Sequence, residues 1–176
     1  MPNGKCTLLP IALRVYPKPL DQESNPEKKS KRWRRPKGYL IFDTETRTDA
    51  AQSLTFGSYR FIREGCCLEE GLFYGDHISN TEKSILEQYV VNRKPTTARG
   101  GIPSLQLLTL AQFAEKIFQA AYKSRCLVIG FNLPFDLSRI ALDATTARGS
   151  FAGGFSLELF KYRDTDGNEK SDKYRP

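Results

Sequence analysis

Gly38-Tyr39-Leu40-Ile41-Phe42-Asp43-Thr44-Glu45-Thr46 passes from a short apolar run straight into two acids separated by one threonine. A brief apolar run that ends abruptly in polar residues reads as a buried strand. Successive side chains leave a strand on opposite faces, so Asp43 and Glu45 share one face, about 6 to 7 Å apart along the backbone, while Thr44 and Thr46 share the other. Both acids can then reach a single ion. Hard divalent cations such as Mg²⁺ take oxygen ligands and keep several waters, so one or two carboxylates at a strand end suit them.

The residues that follow support a sheet. Leu54 to Ile62 and Cys67 to Tyr74 are rich in β-branched and aromatic residues and are joined by a turn at Arg63 to Cys66, so three antiparallel strands in a meander are expected. The period then changes to that of a helix, capped by Asn80 or Thr81 and running to about Asn92, with Ile85 and Tyr89, and Leu86 and Val90, at i, i+4 spacing. Arg93 to Pro103 reads as a loop. A second helix is expected from about Thr109 to Lys123, with an apolar face of Leu110, Phe113, Ala114, Ile117, Phe118 and Ala121 broad enough to lie on the sheet.

Cys126 to Phe131 is a continuous apolar run of the kind found in a strand buried on both faces, and Pro134 sits where a new helix would make its first turn, extending to about Thr146. Asp136 therefore follows a strand and lies just inside a helix N-terminus. A carboxylate is welcome at the positive end of the helix dipole, and the C-terminal edge of the sheet is where open α/β folds place their sites. Past a Gly-rich loop at Arg148 to Gly154, Phe155 to Tyr162 and Glu169 to Tyr174 read as a hairpin turning at Asp166 and Gly167.

In order and context the two acidic elements resemble the first two motifs of the DEDD exonucleases, the DnaQ-like superfamily. Asp43-Thr44-Glu45 matches the Asp-x-Glu that ends the first strand, and Asn132-Leu133-Pro134-Phe135-Asp136 matches the Asn-x-x-Phe/Tyr-Asp that follows a later one. The resemblance implies an α/β, ribonuclease-H-like mixed sheet, in which a three-strand antiparallel meander is extended by a parallel strand with helices packed on it. It also implies metal-dependent 3′–5′ hydrolysis of phosphodiester bonds in DNA or RNA, the substrate being a single-stranded 3′ end. Asp43 and Asp136 would hold a pair of Mg²⁺ or Mn²⁺ ions, and Glu45 would bind one of them and orient the attacking water. Thr44, Thr46, Asn132 and Phe135 would contact the substrate or support the motifs.

The family's third motif, a helix carrying Tyr or His and then a fourth carboxylate, is not found. Asp143 falls on the same expected helical face as Asp136 but about 10 Å further along the axis, and the acids from Glu158 onward belong to the hairpin. The chain is accordingly expected to be the N-terminal portion of a longer nuclease, its sheet incomplete at the C-terminus and the hairpin an insertion. A catalytically inactive nucleic-acid-binding or interaction module that keeps the fold is the rival reading. A ribonuclease H or transposase-type enzyme fits less well, because the Asn-x-x-Phe-Asp element is not typical of those.

The net charge of +7 is concentrated rather than spread, because residues 1 to 37 hold ten Lys and Arg against three acids and the remainder is balanced. Residues 1 to 37 read as a basic, flexible arm and 38 to 176 as the folded domain. In the arm, Lys31, Arg32, Arg34 and Arg35 could contact phosphates with Trp33 stacking on a base, or could form a solvated linker or an address. Leu8 to Tyr16 could be a short extended piece docked on the body. The four cysteines show no C-x-x-C spacing and are expected to be reduced, mostly buried thiols. No apolar run approaches the roughly 20 residues of a membrane span, and no cleavage pattern follows Leu8 to Leu13, so a cytoplasmic address is expected.

Overall fold

The computed structural model describes residues 36–149, 153–163 and 169–174. The basic arm up to residue 35, the extended piece at Leu8 to Tyr16, Cys6 and the turn at Asp166 and Gly167 lie outside the described residues. The architecture is α/β, with a five-stranded mixed sheet and helices.

Three strands form the expected meander: β1 (Gly38–Thr46), β2 (Leu54–Arg63) and β3 (Cys66–Tyr74), each antiparallel to the next. Only Glu64 and Gly65 separate β2 from β3, both at positive φ, 51° and 84°. That is the backbone of a type I′ turn, whose twist matches the strands it joins. The helix α1 (Asn80–Asn92) follows, but its cap is Ser79 and not Asn80 or Thr81. Ser79 and Glu82 exchange side-chain and backbone hydrogen bonds as a capping box, which satisfies two otherwise free N–H groups.

A short strand absent from the sequence reading, β4 (Gln106–Thr109), pairs parallel to β3. Thr109 then caps α2 (Leu110–Ile117), which continues into a π-helical turn at Phe118–Lys123. The next strand, β5 (Leu127–Ile129), pairs parallel to β1, giving the order β4-β3-β2-β1-β5. It was expected to be buried on both faces, but Leu127 and Ile129 are 44% and 37% exposed. Among the described residues β5 is an edge strand, which leaves one of its sides without the neighbour that would bury it.

The helix α3 (Leu133–Ile140) begins where Pro134 indicated, yet ends six residues earlier than expected. The chain turns extended at Ala141, and Asp143–Thr146 forms β6, paired with β7 (Phe155–Arg163), which in turn pairs with β8 (Glu169–Tyr174). The β-branched Thr145 and Thr146 favour a strand over the last helical turn. Asp143 is thus not on the helical face of Asp136; it is exposed at the start of β6, accepting the Ala144 N–H at 2.8 Å.

The core lies on the face of the sheet covered by α2. Phe113 stacks on Phe73 at 3.7 Å and meets the Phe42 ring edge-on at 5.3 Å, while Leu137, Ile140, Leu157 and Leu159 close the same cluster. Burying a side chain of this size contributes about 1.5–3 kcal/mol. Tyr59 is fully buried too, and its hydroxyl donates to Glu69, which also takes Lys116 at 2.8 Å. The cysteines correct the sequence reading: Cys66 is exposed in the hairpin and Cys67 and Cys126 are half-buried, all three as free thiols.

Candidate functional site

Along β1 the exposure alternates as the pleat requires. Leu40, Phe42 and Thr44 are buried, and Asp43 and Glu45 are exposed. The apolar members point to the α2 side, so the two acids project from the opposite face of the sheet. Thr44 therefore faces α3 and donates its hydroxyl to Asp136 Oδ1 at 2.7 Å.

Asp136 is 1% exposed and stands in the first turn of α3. Its position follows from local chemistry. The Asn132 carbonyl accepts the N–H groups of Phe135 and Asp136 at 2.8 and 3.1 Å, and Pro134 occupies a first-turn position where a missing N–H costs nothing. The helix dipole favours the negative charge. Asp136 Oδ2 has no hydrogen-bond partner, the one such buried side-chain atom among the described residues. Gly130 keeps that space open, because a Cβ there would lie 3.2 Å from Oδ2. The carboxylate sits beside the C-terminal ends of β1 and β5, two adjacent parallel strands.

The other expected substrate residues have distinct surroundings. Phe135 is half-buried with the Arg139 guanidinium 5.0 Å over its ring, and Arg139 also donates to the Ala51 and Gln52 carbonyls at 3.1 Å, tying α3 to the turn after β1. Asn132 is exposed and makes no side-chain cap, and Thr46 is half-buried. The structure joins Thr44 to Asp136. Among the described residues no group of three or more His, Cys, Asp or Glu side chains is gathered closely enough to hold a metal ion. Each of Asp43, Glu45 and Asp136 is an oxygen donor of the type hard divalent cations take, but Asp43 and Glu45 lie on the opposite face of the sheet from Asp136, so the structure does not bring the three together.

On the face carrying Asp43 lies an open groove of about 690 Å³. Its floor follows from strand register. Ile129, Ile41, Arg60 and Glu70 stand in one cross-strand row and Asp43, Ser58 and Leu72 in the next. Its rim is formed by Tyr89 and Arg93 at the end of α1, by Lys94 and Thr96 beyond it, and by Phe131 after β5. Glu70 fastens the rim to the floor. One oxygen takes Arg60 at 2.6 Å and the other takes the Thr96 N–H and hydroxyl, each at 2.7 Å. Burial pushes the Glu70 carboxyl up, but the Thr96 and Arg60 hydrogen bonds outweigh it and hold the group below its ordinary range. These rim residues were missed from sequence. Tyr89, Arg93 and Lys94 at i, i+4 and i+5 on a helix end, and a Phe directly after an apolar strand, were the available signals.

The chain matches no known family model and no curated protein. No helix among the described residues is long and apolar enough to cross a membrane.

Proposed function

We propose that this chain is a metal-dependent 3′–5′ exonuclease with a ribonuclease-H-like fold, hydrolysing phosphodiester bonds of single-stranded DNA or RNA. The observation that carries the reading is Asp136, a buried carboxylate at the C-terminal edge of two parallel strands with one oxygen unmatched. A buried polar atom without a partner is costly, and an ion or water bound there would supply one. Asp136, Asp43 and Glu45 would hold the metal, with two ions in a complete site. A bound Mg²⁺ or Mn²⁺ supplies a nucleophilic hydroxide at neutral pH and neutralises charge at the scissile phosphate.

The chain's own residues prepare this chemistry. Thr44 occupies Oδ1 of Asp136 and so fixes the carboxylate's orientation, leaving Oδ2 as the available ligand. Arg139 anchors α3 against the turn that follows β1, which keeps Asp136 in register with the strand end. In the arm, Lys31, Arg32, Arg34 and Arg35 would contact phosphates and Trp33 would stack on a base.

A second reading, a catalytically inactive nucleic-acid-binding module on the same fold, is favoured by the separation of Asp43 and Glu45 from the face that Asp136 occupies. Following mononucleotide release from 3′-labelled and 5′-labelled single strands in Mg²⁺ and Mn²⁺ tests the two. Hydrolysis from the 3′ end that Asp136→Asn abolishes supports the nuclease. Hydrolysis unaffected by Asp136→Asn, or none with wild type, favours the inactive module.

A further inference from the structure

We infer that the groove between the end of α1 and the tip of β5 is a track for single-stranded nucleic acid, with Tyr89 and Phe131 stacking on bases and Arg93 and Lys94 contacting phosphates. The inference rests on the nuclease reading for its substrate class, and it assigns the strand's path to residues outside the acidic motifs.

Three features of the groove select this occupant. The first is aromatic exposure. Phe131 is fully exposed and Tyr89 is 46% exposed, both beside the groove that Asp43 enters. Stacking on a base uses an exposed ring face without requiring a particular sequence. The second is the charge balance. Glu70, the acid on the floor beside Arg60, has both oxygens engaged by Arg60 and Thr96. Arg93 and Lys94 are exposed on the rim with no ion pair among the described residues, so the rim is positive where a backbone would lie. The third is pre-organisation. The Arg93 guanidinium lies 5.4 Å over the Tyr89 ring, and the Glu70–Thr96 bonds hold the segment after α1 against β3. The strand would therefore meet a formed surface.

A duplex is disfavoured, because stacking on Tyr89 and Phe131 needs bases that are already unpaired. An extended polyanion without bases would use Arg93 and Lys94 and ignore the rings. The two classes of contact make different, separable predictions.

The test is fluorescence anisotropy of the full chain with a labelled oligothymidylate in EDTA, where no hydrolysis can occur, so that binding and catalysis are read independently. Tyr89→Ala/Phe131→Ala should weaken binding about twenty-fivefold or more, since each lost stack is worth roughly fivefold upward. Arg93→Gln/Lys94→Gln should make the log-log salt slope shallower by about 1.4, at about 0.7 for each phosphate contact on a single strand. All four side chains are exposed, so circular dichroism should be unchanged. Inorganic polyphosphate should compete poorly. Unchanged affinity and slope in both double variants would overturn the track, as would equal competition by polyphosphate with no effect of removing the rings. Loss of activity in Asp136→Asn with these binding results intact would leave both readings standing. A groove that binds strands in a chain that never hydrolyses them would remove the nuclease alone.

Discussion

The hydroxyl of Thr44 donates to Asp136 across 92 positions of sequence, at 2.7 Å and inside the protein. This bond joins the strand that carries Asp43 and Glu45 to the helix that carries the third acid. It also divides the Asp136 carboxylate into a satisfied oxygen and an unmatched one. The residue between the two strand acids is the one that sets the third.

Thr44→Val keeps the shape and removes the donor, leaving the buried carboxylate without its one side-chain partner among the described residues. A loss of about 1–3 kcal/mol of stability is expected. Thr44→Ser keeps the hydroxyl and should cost only the methyl group, about 0.8 kcal/mol. Urea midpoints of the two variants measure both losses, and a Thr44→Val variant no less stable than wild type would mean that the hydrogen bond contributes nothing.

Glu70 gives the groove a pH dependence. Its carboxyl is held below its ordinary value of 4.5 in the fold, so the ionised form contributes stability that is fully present above about 4.5 and is lost as pH falls through the lower folded value. Glu70→Gln should be less stable than wild type near neutrality, and the two should converge in acid. Urea midpoints followed from neutral to acid pH check this, and parallel curves would show that the Thr96 and Arg60 contacts carry no net stabilisation.

Asp43 is a negative charge in a groove proposed to take a polyanion. Asp43→Asn should therefore strengthen single-strand binding in EDTA, by roughly two- to fivefold for a charge several ångströms from the nearest phosphate. In Mn²⁺ the sign should reverse, because the carboxylate then helps to hold the cation that bridges to the strand. Anisotropy titrations under both conditions read the sign directly, and the same change in both would place Asp43 away from the strand.

Much of the fold was legible because it rests on local patterns. The apolar run into Asp43, the alternating strands around Glu64 and Gly65, and the broad apolar face of α2 all declare themselves within a few residues. β4 did not, because Gln106 to Thr109 is too short to show a period and its parallel pairing with β3 is a tertiary event. The end of α3 was misjudged because Ala141, Leu142 and Ala144 continue a helical pattern that pairing of Asp143–Thr146 with β7 overrides.

The site was half legible. Alternation along β1 correctly set Asp43 and Glu45 apart from Thr44, but only the three-dimensional arrangement shows that Asp136 meets the Thr44 face. The groove rim depends on contacts between α1, the segment after it and β3, which no single stretch of sequence records.

The most direct test of the central claim is a calorimetric titration of Mn²⁺ into wild type and Asp136→Asn. Asparagine retains the oxygen that accepts from Thr44 and replaces the unmatched oxygen with an amide, so the fold is preserved while the proposed ligand is removed. Wild type should bind Mn²⁺ and Asp136→Asn should bind it at least tenfold more weakly, the loss expected when a charged ligand leaves an oxygen site. Equal affinity in the two proteins would contradict the assignment of Asp136 as a metal ligand and leave its burial to be explained by the hydrogen bond with Thr44 alone.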